Sequence, residues 1–268
     1  LALINKSSRI LAVSAILCFL VLNMAGCKPK AVLLYDDSNN HFAAEALDRL
    51  NYAYTSTTDW VAFNNAFKSS EWDLVIVDNP TQADVTKLAE TLLNDYVTKG
   101  GRLAICSWMV HWDPENALWG SLGFEHSGPT EFMPRPVYKT PGPDRLWTSP
   151  LAIPDLDFTG ADDLYGTNCY PGSAIGDGEI MAVFDKSAPE TMGALFVANE
   201  GRTIFNAFKP DDGAIGGVPI DKDADGLPDS VEWWINEIRY VNASCAKPVM
   251  PVGPAEMNSL YTSPVMDK

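Results

Sequence analysis

The chain has 268 residues, 46% of them apolar, and a formal net charge of −16 from 35 acidic and 19 basic side chains. So acidic a surface argues against nucleic acid as a partner, because binding to phosphate needs a surplus of lysine and arginine, and it makes cations natural partners. Length and apolar content argue against a disordered chain and are enough for one sizeable core.

In chain order, Lys6 and Arg9 precede an apolar run over residues 10–22, followed by Met24, Ala25, Gly26 and Cys27. The run is too short to cross about 30 Å of hydrocarbon and ends in small residues, which predicts a secretory signal over residues 1–26 rather than a membrane span. Small residues before a cysteine resemble the lipobox of bacterial lipoproteins. That resemblance implies that Cys27 is acylated and residues 27–30 form the anchor and spacer. It places the protein in the cell envelope, lipid-anchored at the outer membrane or the cell surface. The alternative is an ordinary cleaved signal in which Cys27 is incidental. Loss of the two basic residues takes the formal charge to about −18. In an oxidising compartment the remaining cysteines are Cys106, Cys169 and Cys245. Cys106 lies in an apolar run and reads as buried, which leaves Cys169 and Cys245 as the candidate disulfide.

Residues 31–35 form a continuous apolar run that ends in Asp36 and Asp37, as a buried parallel strand does. A helix is expected over 42–50, a strand over 52–57, a helix over 60–67 and a buried strand over 73–78. An amphipathic helix over 84–97 is stopped by Gly100 and Gly101, and a fourth strand covers 102–107. Strand and helix alternating in this way imply right-handed crossovers, hence a doubly wound, mostly parallel α/β sheet flanked by helices, over residues 31–243. Residues 108–168 lose the pattern and are rich in Pro, Gly and aromatics. Strands return near 179–184, 192–198 and 202–208, the last two joined by a turn at Asn199, Glu200 and Gly201. A last helix covers 230–242, and residues 244–268 form an extended tail with Pro248, Pro251, Pro254 and Pro264.

The sharpest motif spans residues 221–232. Calcium wants six to eight oxygen ligands, and a twelve-residue loop supplies them from positions 1, 3, 5, 7, 9 and 12. Here these are Asp221, Asp223, Asp225, the Leu227 carbonyl, Asp229 and Glu232, with Gly226 where the chain must turn sharply. Gly213, Gly216, Gly217 and Pro219 forbid a preceding helix, so the loop stands alone rather than in a helix-loop-helix hand. It resembles the EF-hand-like DxDxDGLPDxxE loops of bacterial surface proteins and thrombospondin type 3-like repeats, which implies a structural Ca2+. The bland alternative is a solvated acidic run.

Residues 32–36, 73–78, 96–106 and 201–208 together resemble the class I glutamine amidotransferase-like superfamily, in its ThuA-like, sugar-associated branch. The resemblance implies a crevice at the carboxyl ends of the strands. It also implies a nucleophilic cysteine after the fourth strand within G-x-C-x-G, and a His-x-Glu pair near the end of the domain. Cys106 stands in the cysteine's place, but Ala104 and Trp108 replace the glycines and no His-x-Glu occurs. His111, five residues on, is the candidate base. The expected role is non-catalytic, either binding or structural, and the alternative is a hydrolase or carbohydrate-active protein using this crevice. Asp36, Asp37 and Asp78 offer a second cation site, or else helix caps and turns. Trp108, Trp112, Trp119, Trp147, Tyr138, Tyr165 and Tyr170 offer a carbohydrate or protein partner a stacking surface over 108–170, or else close a core.

Overall fold

The computed structural model describes residues 28–78, 83–107, 110, 113–127, 131–132, 136–141, 145–161 and 168–243, with backbone alone for 83–90, 131–132, 168–169 and 212. The signal segment, Cys27, His111, Trp108, Trp112, Tyr165, Cys245 and the tail lie outside these residues, as does the test of a Cys169–Cys245 disulfide. No helix among the described residues is long and apolar enough to cross a membrane.

The elements in order are β1 (Val32–Asp36), α1 (Phe42–Arg49), β2 (Thr55–Thr57), α2 (Trp60–Ser69), β3 (Leu74–Asp78), α3 (Ala83–Thr98) and β4 (Leu103–Cys106). Short pieces follow: α4 (Ala117–Ser121), β5 (Phe124–His126), β6 (Glu131–Phe132), β7 (Tyr138–Lys139), α5 (Arg145–Thr148), β8 (Asn168–Cys169) and β9 (Gly172–Ala174). The chain closes with β10 (Glu179–Val183), β11 (Gly193–Ala198), β12 (Thr203–Asn206), β13 (Ala214–Ile215), β14 (Val218–Pro219) and α6 (Asp229–Val241).

The main sheet runs β2-β1-β3-β4-β12-β11-β10-β7. Its first five strands are parallel, and β11, β10 and β7 extend it antiparallel. The order 2-1-3-4 is that of a flavodoxin-like, doubly wound sheet, whose chain reverses direction between β1 and β3. Successive side chains of a strand point to opposite faces, so each apolar strand feeds two cores. Leu34, Ile76, Ala104 and Ile204 pack under α1 and α6. Leu33, Tyr35, Val75, Val77, Ile105 and Phe205 pack under α2 and α3. On that second face Tyr35 stacks on Trp60 with ring centroids 4.2 Å apart, and Phe63 meets Trp60 edge-on at 5.1 Å.

One expectation is corrected in detail. The second strand covers Thr55–Thr57 alone, because Tyr52 closes the end of α1 through its N–H to the Leu47 carbonyl and buries its ring. The stretch over 108–168 holds short elements, and β9, just past its end, escapes pattern reading. Of the aromatics that offered either a stacking surface or a core, Trp119, Trp147 and Tyr170 are buried in the two cores, whereas Tyr138 is half-buried beneath the Lys186 ammonium at 4.2 Å.

Candidate functional site

A hairpin of β13 and β14, turning at Gly216 and Gly217 with φ of 60° and 72°, leads into the acidic loop. No helix precedes the loop. Its two ends are closed by the Asp229 N–H, which donates to the Ile220 carbonyl at 2.9 Å. Inside, Gly226 N–H donates to Asp221 Oδ2 at 2.9 Å, Asp225 N–H to Asp223 Oδ1 at 3.2 Å, and Leu227 N–H to Asp225 Oδ1 at 2.8 Å. These bonds turn the aspartates inward. Gly226 takes φ of 93°, where a side chain would be strained, and Ala224 takes φ of 59° at that cost.

Asp221, Asp223 and Asp225 each present an oxygen within 4.8 Å of the others. Two oxygens bound at about 2.4 Å to one ion can be no farther apart than that. Asp229 and Glu232 follow in the first turn of α6, and each is only 1% exposed. Asp229 Oδ1 accepts from Lys222 N–H at 2.9 Å, but its Oδ2 has no partner, nor have Glu232 Oε2 and Asp221 Oδ1. Burial lifts the Glu232 carboxyl to about 7, and Asp223, Asp225, Asp229 and Asp221 push it the same way. Burial likewise raises Asp229, against the opposing pull of Lys222. Buried carboxylate oxygens cost several kcal/mol when left unpaired. Leu227, between Asp225 and Asp229 in sequence, is half-buried and packs against the core that includes α6.

The second candidate region is the carboxyl edge of the parallel strands. Register pairs Asp36 with Asp78 and Cys106 with Asn206, and the β3–β4 register sets Asp78 beside Cys106. The four side chains therefore form one row on the face covered by α1 and α6, with Asp36 and Asp78 at the reversal point where doubly wound sheets bind ligands. Cys106 Sγ donates to Asp78 Oδ1 at 3.3 Å. Burial, then Asp36 and Asp211, push the Asp78 carboxyl well above its ordinary range. Asp36 Oδ1 accepts from Ser38 Oγ at 2.5 Å, and its Oδ2 lies 3.1 Å from His41 Nδ1. Asp211 accepts from the N–H groups of Asn39 and Asn40 at 2.8 and 2.7 Å, which clamps the β1–α1 turn over the turn that follows β12. Asn206 Nδ2 donates to Glu237 Oε2 at 2.8 Å, and burial raises the Glu237 carboxyl to about 8 against that bond. Asp78 Oδ2, Asn206 Oδ1 and Glu237 Oε1 are buried without partners.

A thiolate at Cys106 would need a base beside it, and the buried Sγ is hydrogen-bonded to the Asp78 carboxyl. His41 is engaged by Asp36 and His126 by the Pro171 carbonyl, while His111 lies outside the described residues. Toward the end of the domain the chain reads Lys209-Pro210-Asp211, with no His-x-Glu. Nor do Asp36, Asp37 and Asp78 form a second metal cluster. Among the described residues only Asp221, Asp223 and Asp225 meet that spacing, and Asp36 is already held by Ser38 and His41. Asn206, Asp211 and Glu237 escape sequence reading. The one hint at Glu237 is its place three and four residues past Trp234 and Trp233, a charge set among the buried positions of α6.

No protein-family model matches the chain, and neither does any curated protein. Solved structures do. A glutamine amidotransferase from Methylobacillus flagellatus aligns over 82% of this chain and 96% of its own at 10% identity, with a TM-score of 0.46. Another from Thermotoga maritima aligns over 68% and 76% at 11% identity, with a TM-score of 0.41. The glutaminase domain of CTPS from Trypanosoma brucei, with bound acivicin, aligns over 84% and 97% at 8% identity, with a TM-score of 0.42. These likenesses concern the course of the chain and not its chemistry; the α/β class itself follows from the strand order above.

Proposed function

We propose that this is a calcium-binding protein of the cell envelope, exported and lipid-anchored through Cys27, with a binding or structural role rather than a thiol-hydrolase activity. What supports the reading is the cluster of Asp221, Asp223 and Asp225 oxygens within 4.8 Å of one another, together with unpartnered buried oxygens on Asp221, Asp229 and Glu232 in the same twelve-residue loop. The ligands are Asp221, Asp223, Asp225, the Leu227 carbonyl, Asp229 and Glu232, and the ion is a fixed part of the fold. Calorimetric titration of the purified chain is expected to give a dissociation constant of about 0.1–1 mM, the range of extracellular modules. Absence of heat at several times that concentration disproves the reading. Incorporation of labelled palmitate that is lost in Cys27→Ala tests the anchor.

A second reading, a hydrolase or carbohydrate-active protein at the carboxyl edge, is favoured by the unpartnered oxygens of Asp78, Asn206 and Glu237. Crystals soaked with a candidate sugar decide it, since an ordered molecule bonded to Asp78 Oδ2 is required. A partner-binding surface has less support. The described residues expose only Val61, Ile215 and Val218 as large apolar side chains, too few for a continuous patch.

A further inference from the structure

Helix α6 starts without a side-chain cap. Its N-cap is Pro228; the Asp229 N–H donates to the Ile220 carbonyl and the Val231 N–H to the Pro228 carbonyl, and that first turn carries the buried Asp229 and Glu232. A helix N-terminus favours one negative charge. Two desolvated carboxylates beside three more aspartates exceed that, and a cation among them would offset the excess at the N-terminus of α6.

Just beyond its first turn the same helix grips residues 145–161, a strap of α5 and irregular chain. Asn236 Nδ2 donates to the carbonyls of Leu146 and Leu151, each at 2.8 Å, and its Oδ1 accepts from Leu151 N–H at 3.1 Å. Trp233 Nε1 donates to the Pro154 carbonyl at 3.1 Å, and its ring lies 4.9 Å from that of Trp147. The Arg145 guanidinium stands 4.7 Å over the Tyr240 ring. From the loop itself, Lys222 Nζ reaches the Asp155 carbonyl at 3.2 Å and Asp157 Oδ2 at 3.5 Å. The strap's far side meets Phe208 through Phe158, at 6.0 Å, two residues past Asn206. Glu237, bonded to Asn206, is the next residue after Asn236.

We infer that calcium in the 221–232 loop controls docking of the 145–161 strap on α6, and with it closure of the Asn206–Glu237 end of the strand edge. The inference rests on the calcium reading. Without the ion the first turn of α6 frays, Trp233 and Asn236 at its second turn lose their positions, and the strap keeps only its bonds outside α6, chiefly those to Val137 and Lys139 near Leu156. Local opening of this kind is set by the stability of the element that anchors it.

Hydrogen exchange of the full chain, in calcium and in EGTA with magnesium, tests this. Chelation is expected to lower protection of the Leu151 and Ile153 amides about tenfold while leaving residues 33–35 and 75–77 unchanged. Asn236→Ala should take up calcium with the same heat, and its strap should exchange fast in both conditions. Lys222→Met, a surface change that keeps the α6 bonds, should retain the response; a lost response would overturn the route through α6. Calcium uptake with unchanged strap exchange overturns the inference and leaves the metal site standing. No uptake at several millimolar overturns both.

Discussion

The acidic loop and the carboxyl edge of the sheet are both built from buried carboxyl groups with unpartnered oxygens, yet they are different kinds of site. In the loop, five acids lie within twelve residues; oxygens of Asp221, Asp223 and Asp225 stand within 4.8 Å of one another, and burial, then the other four acids, raises Glu232. At the edge, the acids come from β1, β3, α6 and the turn after β12. Neighbours satisfy Asp36 and Asp211 there, and burial is the first cause of the raised Asp78 and Glu237. In the loop the push added to burial comes from four acids of one short segment, whereas at the edge it comes from separate elements for Asp78 and is absent for Glu237, which burial alone raises.

The largest test of that difference is at Glu237. Its carboxyl titrates near 8 in the fold against 4.5 as a free side chain, so between those values the native state holds a proton that the unfolded chain has released. Stability is therefore full below pH 4.5 and falls as pH rises toward 8. The wild type should lose about 3 kcal/mol relative to Glu237→Gln between pH 5 and pH 8, measured by urea unfolding in constant calcium. Parallel pH profiles for the two proteins would show that Glu237 is ionised in the fold and has a partner.

Next comes the loop. Removing calcium from several millimolar is expected to cost about 2 kcal/mol, or about 5 °C in Tm. Glu232→Gln should abolish that calcium-dependent shift. In EDTA the same variant should be the more stable protein, because it removes a buried carboxyl that the four neighbouring acids push against. A variant less stable than wild type in EDTA would mean that Glu232 is held by protein groups rather than by an ion.

The same contrast explains what could be read from the residues alone. β1, β3 and β4 are continuous apolar runs, and the loop is contiguous, so local pattern was enough for both. The row of Asp36, Asp78, Cys106 and Asn206 exists only through the register of four strands, two of them separated by about a hundred residues of chain. β9 is marked by no periodicity at all. It is a strand because Gly172 lets the Phe124 ring approach to within 2.1 Å of where a Cβ would stand. Tertiary pairing of that kind leaves no local trace.

The smallest effects sharpen the comparison at one strained residue in each region. Ala224 in the loop and His41 beside the edge both adopt left-handed backbone, with φ of 59° and 55°. Glycine relieves that conformation in the fold but gives the unfolded chain more freedom, so the net gain for Ala224→Gly should be about 0.5 kcal/mol in calcium. His41→Gly relieves the same strain but loses the imidazole that stands 3.1 Å from Asp36 Oδ2. His41 is 57% exposed, so that contact is worth at most about 1 kcal/mol and should just cancel the gain. Chemical denaturation of the two variants separates the cases. An equal gain at both positions would mean that the Asp36 contact adds nothing, and that His41 is strained for a reason other than holding the edge together.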